Sequence, residues 1–281
     1  MCSINDRFLS KEEVGILSIV TVTFPQGKHK VVTLSYDDGT AADKRLIQIL
    51  NKNGIKGTFH LNSGLLGVGN RIHKDEIAQL YHGHEVAAHT VTHPTIARSP
   101  KEQIVEEIIE DRKDLEDIVG YPVRGFSYPN GSYNLTIKEI LPHLGIEYAR
   151  TVNSTGNFGM PDDFMEWNPT CHHNHDLMKK AEDFAELTKT QYLYMLYVWG
   201  HSYEFDNDNN WELMEGFSEF IGNREDIWYA TNIEIIDYLN TFRNLKFSAS
   251  SQFVYNPSYT SVWLNIDGDI IEVKGGTQIN L

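Results

Sequence analysis

Short runs rich in β-branched and aromatic residues alternate along most of the chain with stretches whose apolar residues recur at helical spacing. "VVTLSY" (31–36) reads as a buried strand. "AADKRLIQILNKNG" follows as a helix closed by Gly54. "KGTFHL" (56–61), a short helix in "HKDEIAQLYHGH" and a strand "EVAAH" (85–89) continue the pattern. In "SPKEQIVEEIIEDRKDLEDIVG" the spacing of Ile104, Ile108, Leu115 and Ile118 predicts a helix, with Ser99 as its cap and Pro100 in its first position. "VRGFSY" (123–128) and "GIEYART" (145–151) read as strands around the helix "NLTIKEILPHLG". "QYLYMLYVWG" (191–200) reads as a long buried strand, and "IWYA" and the helix "TNIEIIDYLNTF" come last.

About seven strand–helix units in one domain predict a parallel sheet with helices outside it, as a (β/α) barrel. A doubly wound open sheet is the alternative. After Phe242 the helical period is lost. "LNIDGDIIEV" is a hairpin signal with Asp267 and Gly268 at its turn. The expected division is a barrel over 1–242 and a small antiparallel appendage over 243–281.

With 281 residues and 41% hydrophobic positions the chain can bury a sizeable core. A formal net charge of −15 argues against a nucleic-acid partner and against an anionic membrane surface. It suits a neutral or cationic substrate and equally a solvated acidic surface. The cysteines, Cys2 and Cys171, form no disulfide framework. The opening "MCSINDRFLSKEEVGILSIVTVTF" lacks the basic start and small-residue end of a secretory signal and reads as leading into a strand, so the expected location is cytoplasmic.

The candidate chemistry sits where strands end. "SYDDG" places Asp37 and Asp38 side by side at the end of the first clear strand. "HTVTH" follows another strand, and its spacing of four predicts His89 and His93 on one face of a helical turn. Two histidines and a carboxylate suit a divalent metal, Zn²⁺ above all. A third histidine, His201, follows "LYVWG".

Together "SYDDG", "HTVTH" and the late strand-end histidine resemble the polysaccharide deacetylases, the NodB-homology or carbohydrate esterase family four enzymes. The resemblance runs from about Val31 to His201. It implies a distorted (β/α)7 barrel and metal-dependent hydrolysis of an N-acetyl or O-acetyl group. It assigns the general base to Asp37, the metal to Asp38, His89 and His93, and the general acid to His201. In "FSYPNG" (126–131) Ser127 stands where the family has an arginine that orients the base. Arg124 and Arg150 are candidate replacements, and Arg150, ending a strand, is favoured. Asn130 stands where the family has a tyrosine, and its backbone N–H is the candidate oxyanion donor. Tyr128 joins it as a candidate substrate contact. In "DFMEW" (163–167) Glu166 takes the place of the aspartate that orients the acid, and Trp167 would wall the acetyl pocket.

"CHHNHD" (171–176) matches no closed zinc spacing and reads as a histidine-rich loop at the cleft. His60, His82 and His84 read as structural or surface residues. The expected substrate is an N-acetylated carbohydrate. A small cyclic amide or ureide, as in the allantoinase-like branch of the same superfamily, is the alternative, and a non-catalytic carbohydrate-binding module a third.

Overall fold

The computed structural model describes residues 19–281. Cys2 and most of the N-terminal stretch read above lie outside them. The chain divides into a larger unit, Lys28–Leu239, and a smaller one that joins the described residues up to Gly27 to Asn240–Leu281. Strand β1 (Val20–Thr23) belongs to the smaller unit.

The larger unit runs β2 (Lys30–Asp37), α1 (Asp43–Lys52), β3 (Gly57–Leu61), α2 (Lys74–Leu80), β4 (Glu85–Ala88), α3 (Lys101–Val119), β5 (Gly125–Ser127), α4 (Leu135–Ile140) and β6 (Tyr148–Arg150). It continues with β7 (Cys171–His172), α5 (Leu177–Ala185), β8 (Tyr194–Gly200), α6 (Tyr203–Asn207), α7 (Trp211–Ile221), β9 (Ile227–Tyr229) and α8 (Asn232–Arg243), whose last residues pass into the smaller unit. The sheet order is β6-β5-β4-β3-β2-β8-β7, with β9 also on β2, and the ladders are parallel. This curled parallel sheet with its helices is a distorted (β/α)7 barrel.

Side chains alternate across a strand, so β2 has two faces, and both are buried. Val32, Leu34 and Tyr36 face the apolar layer shared with the helices, together with Phe59, Val86, Phe126 and Leu196. The intervening Thr33, Ser35 and Asp37 are polar and equally buried. A parallel strand covered on both sides is ordinarily apolar throughout. Here one face carries hydrogen-bonding groups that must find partners within the barrel.

They do so in a network below the strand ends. Thr33 donates to Asn232 Oδ1 (2.8 Å), whose Nδ2 donates to the Tyr197 hydroxyl (2.6 Å). Thr58 donates to Glu85 Oε2 (2.9 Å), which also accepts the Ile233 N–H (2.9 Å), and Tyr148 donates to Glu85 Oε1 (2.7 Å). Burial pushes the Glu85 carboxyl up to about 7, against the pull of these donors.

Several boundaries differ from the sequence reading. α3 begins at Lys101, with Pro100 as its flanking residue, and Ser99 lies outside it in extended backbone. Residues 191–193 precede β8 rather than forming its start. The expected helix "NLTIKEILPHLG" is α4, capped by Asn134, followed by a 3-10 turn. Helices α5 and α7 were not foreseen, although Trp211, Met214, Phe217 and Ile221 bury one stripe of α7.

In the smaller unit β10 (Lys246–Phe247), β11 (Phe253–Tyr255) and β14 (Gln278–Asn280) form one antiparallel sheet. β1 forms the other with β12 (Val262–Ile266) and β13 (Asp269–Val273). The β12–β13 hairpin turns on Asp267 and Gly268, both at positive φ, as its Asp-Gly pair predicts. The division therefore falls at 239/240 rather than 242/243, and β1 sits with the C-terminal strands rather than with the barrel. Among the described residues no helix is long and apolar enough to cross a membrane.

Replacing Asn232 by alanine should strand the Thr33 hydroxyl inside the barrel and remove one of the two side-chain partners of the Tyr197 hydroxyl, the other being Ser35. We expect a loss of about 3 kcal/mol, since each buried unsatisfied group costs about 1–3 kcal/mol. Urea unfolding at constant m-value measures it. A change within error of zero would mean the network is not a stabilising one.

Candidate active site

Both aspartates reach one cavity mouth because the chain leaves the β conformation between them. Asp37 is the last residue of β2, while Asp38 has φ 79° and Gly39 φ 62°. The reversal is held by Asp38 N–H donating to the His60 carbonyl (3.0 Å) and by Arg71 Nε donating to the Asp38 carbonyl (3.2 Å). A Cβ at Gly39 would lie 2.7 Å from Leu61 Cδ2, so space and φ both favour glycine there.

The "HTVTH" segment is not helical. Thr90 (φ 67°) and His93 (φ 59°) are both left-handed, and this loop, not an i,i+4 helix face, brings the two imidazoles to a centroid separation of 4.8 Å. His89 Nδ1 donates to the Ser127 carbonyl (2.8 Å), which leaves Nε2 with its lone pair. Asp111 anchors the loop by accepting the His89 N–H (2.8 Å) and the Ser63 N–H (2.7 Å). Burial, above all, pulls His89 down to about 3, so it is neutral, as a metal ligand must be.

Asp38, His89 and His93 have ligand atoms within 4.8 Å of one another. Asp38 Oδ1 is buried without a hydrogen-bond partner, 3.8 Å from His93 Nε2 and 3.6 Å from the Arg71 guanidinium. An orphaned carboxylate oxygen facing two imidazoles fits a divalent metal.

Asp37 lies beside that triad, its Oδ2 3.9 Å from His89 Nε2, but its hydrogen bonds go to other groups. Arg150 donates to its Oδ2, Ser127 Oγ to its Oδ1 (3.2 Å), and His60 Nδ1 lies 3.2 Å from Oδ1. Arg150 is fully buried, donates also to the Thr151 carbonyl (3.1 Å) and lies 4.6 Å from the Trp199 ring centre. Burial alone would raise the Asp37 carboxyl, but Arg150 first, then His89 and His60, hold it well below the usual carboxylate range. Arg124 is engaged elsewhere, with Asp237 (2.7 Å) and Glu147 (3.0 Å).

His201, just past β8, is one-fifth exposed. Burial pulls its pKa down, yet the Glu204 carboxylate together with the charges of Asp37 and Asp38 leaves it raised. Glu166 plays no part in this. Its carboxylate lies 2.5 Å from Lys138 Nζ and interacts with Tyr133, because its short 3-10 turn points it at α4. The carboxylate beside His201 is Glu204, three residues on, an H-x-x-E spacing visible in "GHSYE".

Tyr128 and Trp167 are also elsewhere than expected. Tyr128 is buried, donates to the Met165 carbonyl (2.6 Å) and stacks on Tyr133. Trp167 is fully buried among Tyr148, Phe164 and Tyr197, so neither presents a surface to a ligand. Asn130 is exposed in a left-handed turn after β5 (φ 55°), and its amide donates to Thr95 Oγ1 (3.4 Å). His60, read as structural or surface, is buried and touches Asp37. Adjacent to Phe59 on β3, it points to the opposite face, against Ser35 (3.1 Å).

A buried aspartate clamped by arginine thus lies beside an Asp-His-His triad where strands of the (β/α)7 barrel end. Residues 25–149 match the family model described as polysaccharide deacetylase. Chitin deacetylase 1 of Cryptococcus neoformans is 31% identical over 117 residues, 40% of this chain and 24% of that protein. A peptidoglycan-N-acetylglucosamine deacetylase of Listeria monocytogenes is 24% identical over 147 residues, 51% of this chain and 29% of that protein. The chain thus spans under a third of the length of either relative. A solved Mycobacterium smegmatis structure, provisionally described as a polysaccharide deacetylase, superposes with a TM-score of 0.60 at 15% identity, covering 79% of this chain and 94% of that one. That likeness concerns the fold alone. These relatives lend the cyclic-amide alternative no support.

His93→Ala should weaken divalent-metal binding by at least about 100-fold, since loss of even an outer-shell partner typically costs about 10–100-fold. Elemental analysis after equilibrium dialysis reads it. Unchanged stoichiometry with an intact far-UV spectrum would remove His93 from the ligand set.

Proposed function

We propose that this protein is a metal-dependent deacetylase that removes acetyl groups from an N-acetylated carbohydrate. The observation that carries the reading is the split between the two aspartates: Asp38 leaves an orphaned oxygen among His89 and His93, while Asp37 is ionised and clamped by Arg150. Zinc suits the two-histidine, one-carboxylate set. A metal held by Asp38, His89 and His93 would polarise the acyl oxygen and acidify water.

In this reading Asp37 takes the proton of the water that attacks the acyl carbon. Arg150, Ser127 and His60 hold its carboxylate in place throughout the step. Charge that develops on the acyl oxygen is met by the backbone N–H of Asn130, on the turn after β5. The C–N bond then breaks, and His201 gives its proton to the departing amine. The products are acetate and a free amine.

A screen of metal-loaded protein across N-acetylated oligosaccharides, acetylated xylan and small cyclic amides tests the substrate class, with acetate release as the readout. Ring-opened acid without acetate would overturn the reading. On a substrate that is turned over, Asp37→Asn should keep the metal and lose about 10²–10⁴-fold in kcat, the usual worth of a general base. If the variant loses its metal instead, Asp37 is a ligand rather than the base.

A further inference from the structure

Four polar groups converge on one oxygen beside the active site. Glu204, in the first turn of α6, accepts the His201 backbone N–H at Oε2 (3.0 Å). The same Oε2 lies 3.4 Å from His201 Nδ1, 3.2 Å from His172 Nε2 and 3.3 Å from His173 Nε2. The carboxylate is thus fixed by the very turn that carries His201, and it faces the ends of β7 and β8 at once.

The tautomers follow from the partners. His172 Nδ1 accepts the Asn174 N–H (3.2 Å), so in the neutral ring the proton is on Nε2, the nitrogen that faces Glu204. His201 Nδ1 is buried without an aligned hydrogen bond, 3.4 Å from a carboxylate that can only accept, so this contact favours the tautomer with the proton on Nδ1. In that tautomer proton exchange is confined to Nε2. His173 is fully buried between Tyr36 (5.7 Å) and Phe205 (4.2 Å), and burial pulls it down to about 3, so it packs against the carboxylate as a neutral ring.

We propose that Glu204 is the positioning residue for His201, holding His201 and His172 through one carboxylate oxygen and thereby presenting His201 Nε2–H to the leaving group. The proposal rests on the acid role given to His201 above. It explains how the chain dispenses with Glu166, whose carboxylate is committed to Lys138.

The charged and titratable groups that face His201 are Glu204 and Tyr203 from α6, Asp37 and Asp38 from the end of β2, His172 at the end of β7 and His173 just after it. Burial lowers its pKa, and the Glu204 carboxylate provides the largest opposing contribution. Removing that charge should therefore move the His201 midpoint down and bring the alkaline loss of activity to lower pH.

The test uses the full chain loaded with zinc and ¹⁵N-labelled at histidine. In the parent, His201 should titrate with Nδ1 protonated throughout. In Glu204→Gln its midpoint should fall and its tautomer become mixed, and Glu204→Asp should restore part of both. Where a substrate is turned over, Glu204→Gln should lower kcat by about 10²-fold, within the worth of a positioned acid, with KM nearly unchanged. Unchanged His201 midpoint and tautomer in folded Glu204→Gln would overturn the proposal. So would a second zinc equivalent in the parent that Glu204→Gln loses, since His172, His201 and Glu204 have the spacing of a metal site as well. The titration needs no turnover, so a failed substrate screen leaves this result readable.

Discussion

The left-handed residue at the end of β2 is the constraint on which the site depends. Two adjacent carboxylates on a continuing strand would point to opposite faces, one into the barrel and one into the helical layer. With φ at 79°, Asp38 turns back to the same mouth as Asp37. Such a conformation at a residue with a Cβ costs about 1–3 kcal/mol and persists where neighbours fix it. Here the His60 carbonyl, the Arg71 guanidinium and the close wall of Leu61 beside Gly39 do so. His93 and Thr90 use the same device on the facing loop. Asp38 and His93 thus aim groups at one point, while Thr90 turns the loop between the two histidines and its hydroxyl accepts the His93 N–H (3.2 Å).

The barrel interior must then hold charge away from water. Asp37 and Arg150 form a buried pair, and removing one partner of such a pair typically costs about 3–5 kcal/mol because the other is left uncompensated. Ser127 Oγ and His60 share the load, and Trp199 covers the guanidinium. Below them Asn232, Glu85 and their hydroxyl partners satisfy the remaining polar face. The apolar layer outside the sheet supplies the burial, while the polar layers inside restrict which rotamers the site residues adopt.

The alternation of strands and helices was legible because each β run is compact and each long helix carries an apolar stripe. The hairpin was legible from Asp-Gly. Edges were not, since Ser99-Pro100 offers two equally plausible starts and only the backbone of the preceding turn decides. The placement of β1 depends on pairing with residues some 240 positions away, for which the chain has no local mark. In the site, strand-end position was enough to favour Arg150 over Arg124. Spacing misled for His89 and His93, where four residues read as a helical turn and two positive φ angles make a loop instead. Motif position misled for Glu166, because a nearby lysine captured it, while Glu204 lay in plain view three residues after His201.

The central claim is that Asp37 and Asp38, though adjacent, serve different partners. The most direct measurement compares metal content and acetate release in Arg150→Met and Asp38→Asn, both checked for folding. The account predicts that Arg150→Met keeps its metal and loses turnover, because only Asp37 is disturbed. Asp38→Asn should lose the metal. Metal loss in Arg150→Met, or full metal retention in Asp38→Asn, would contradict it.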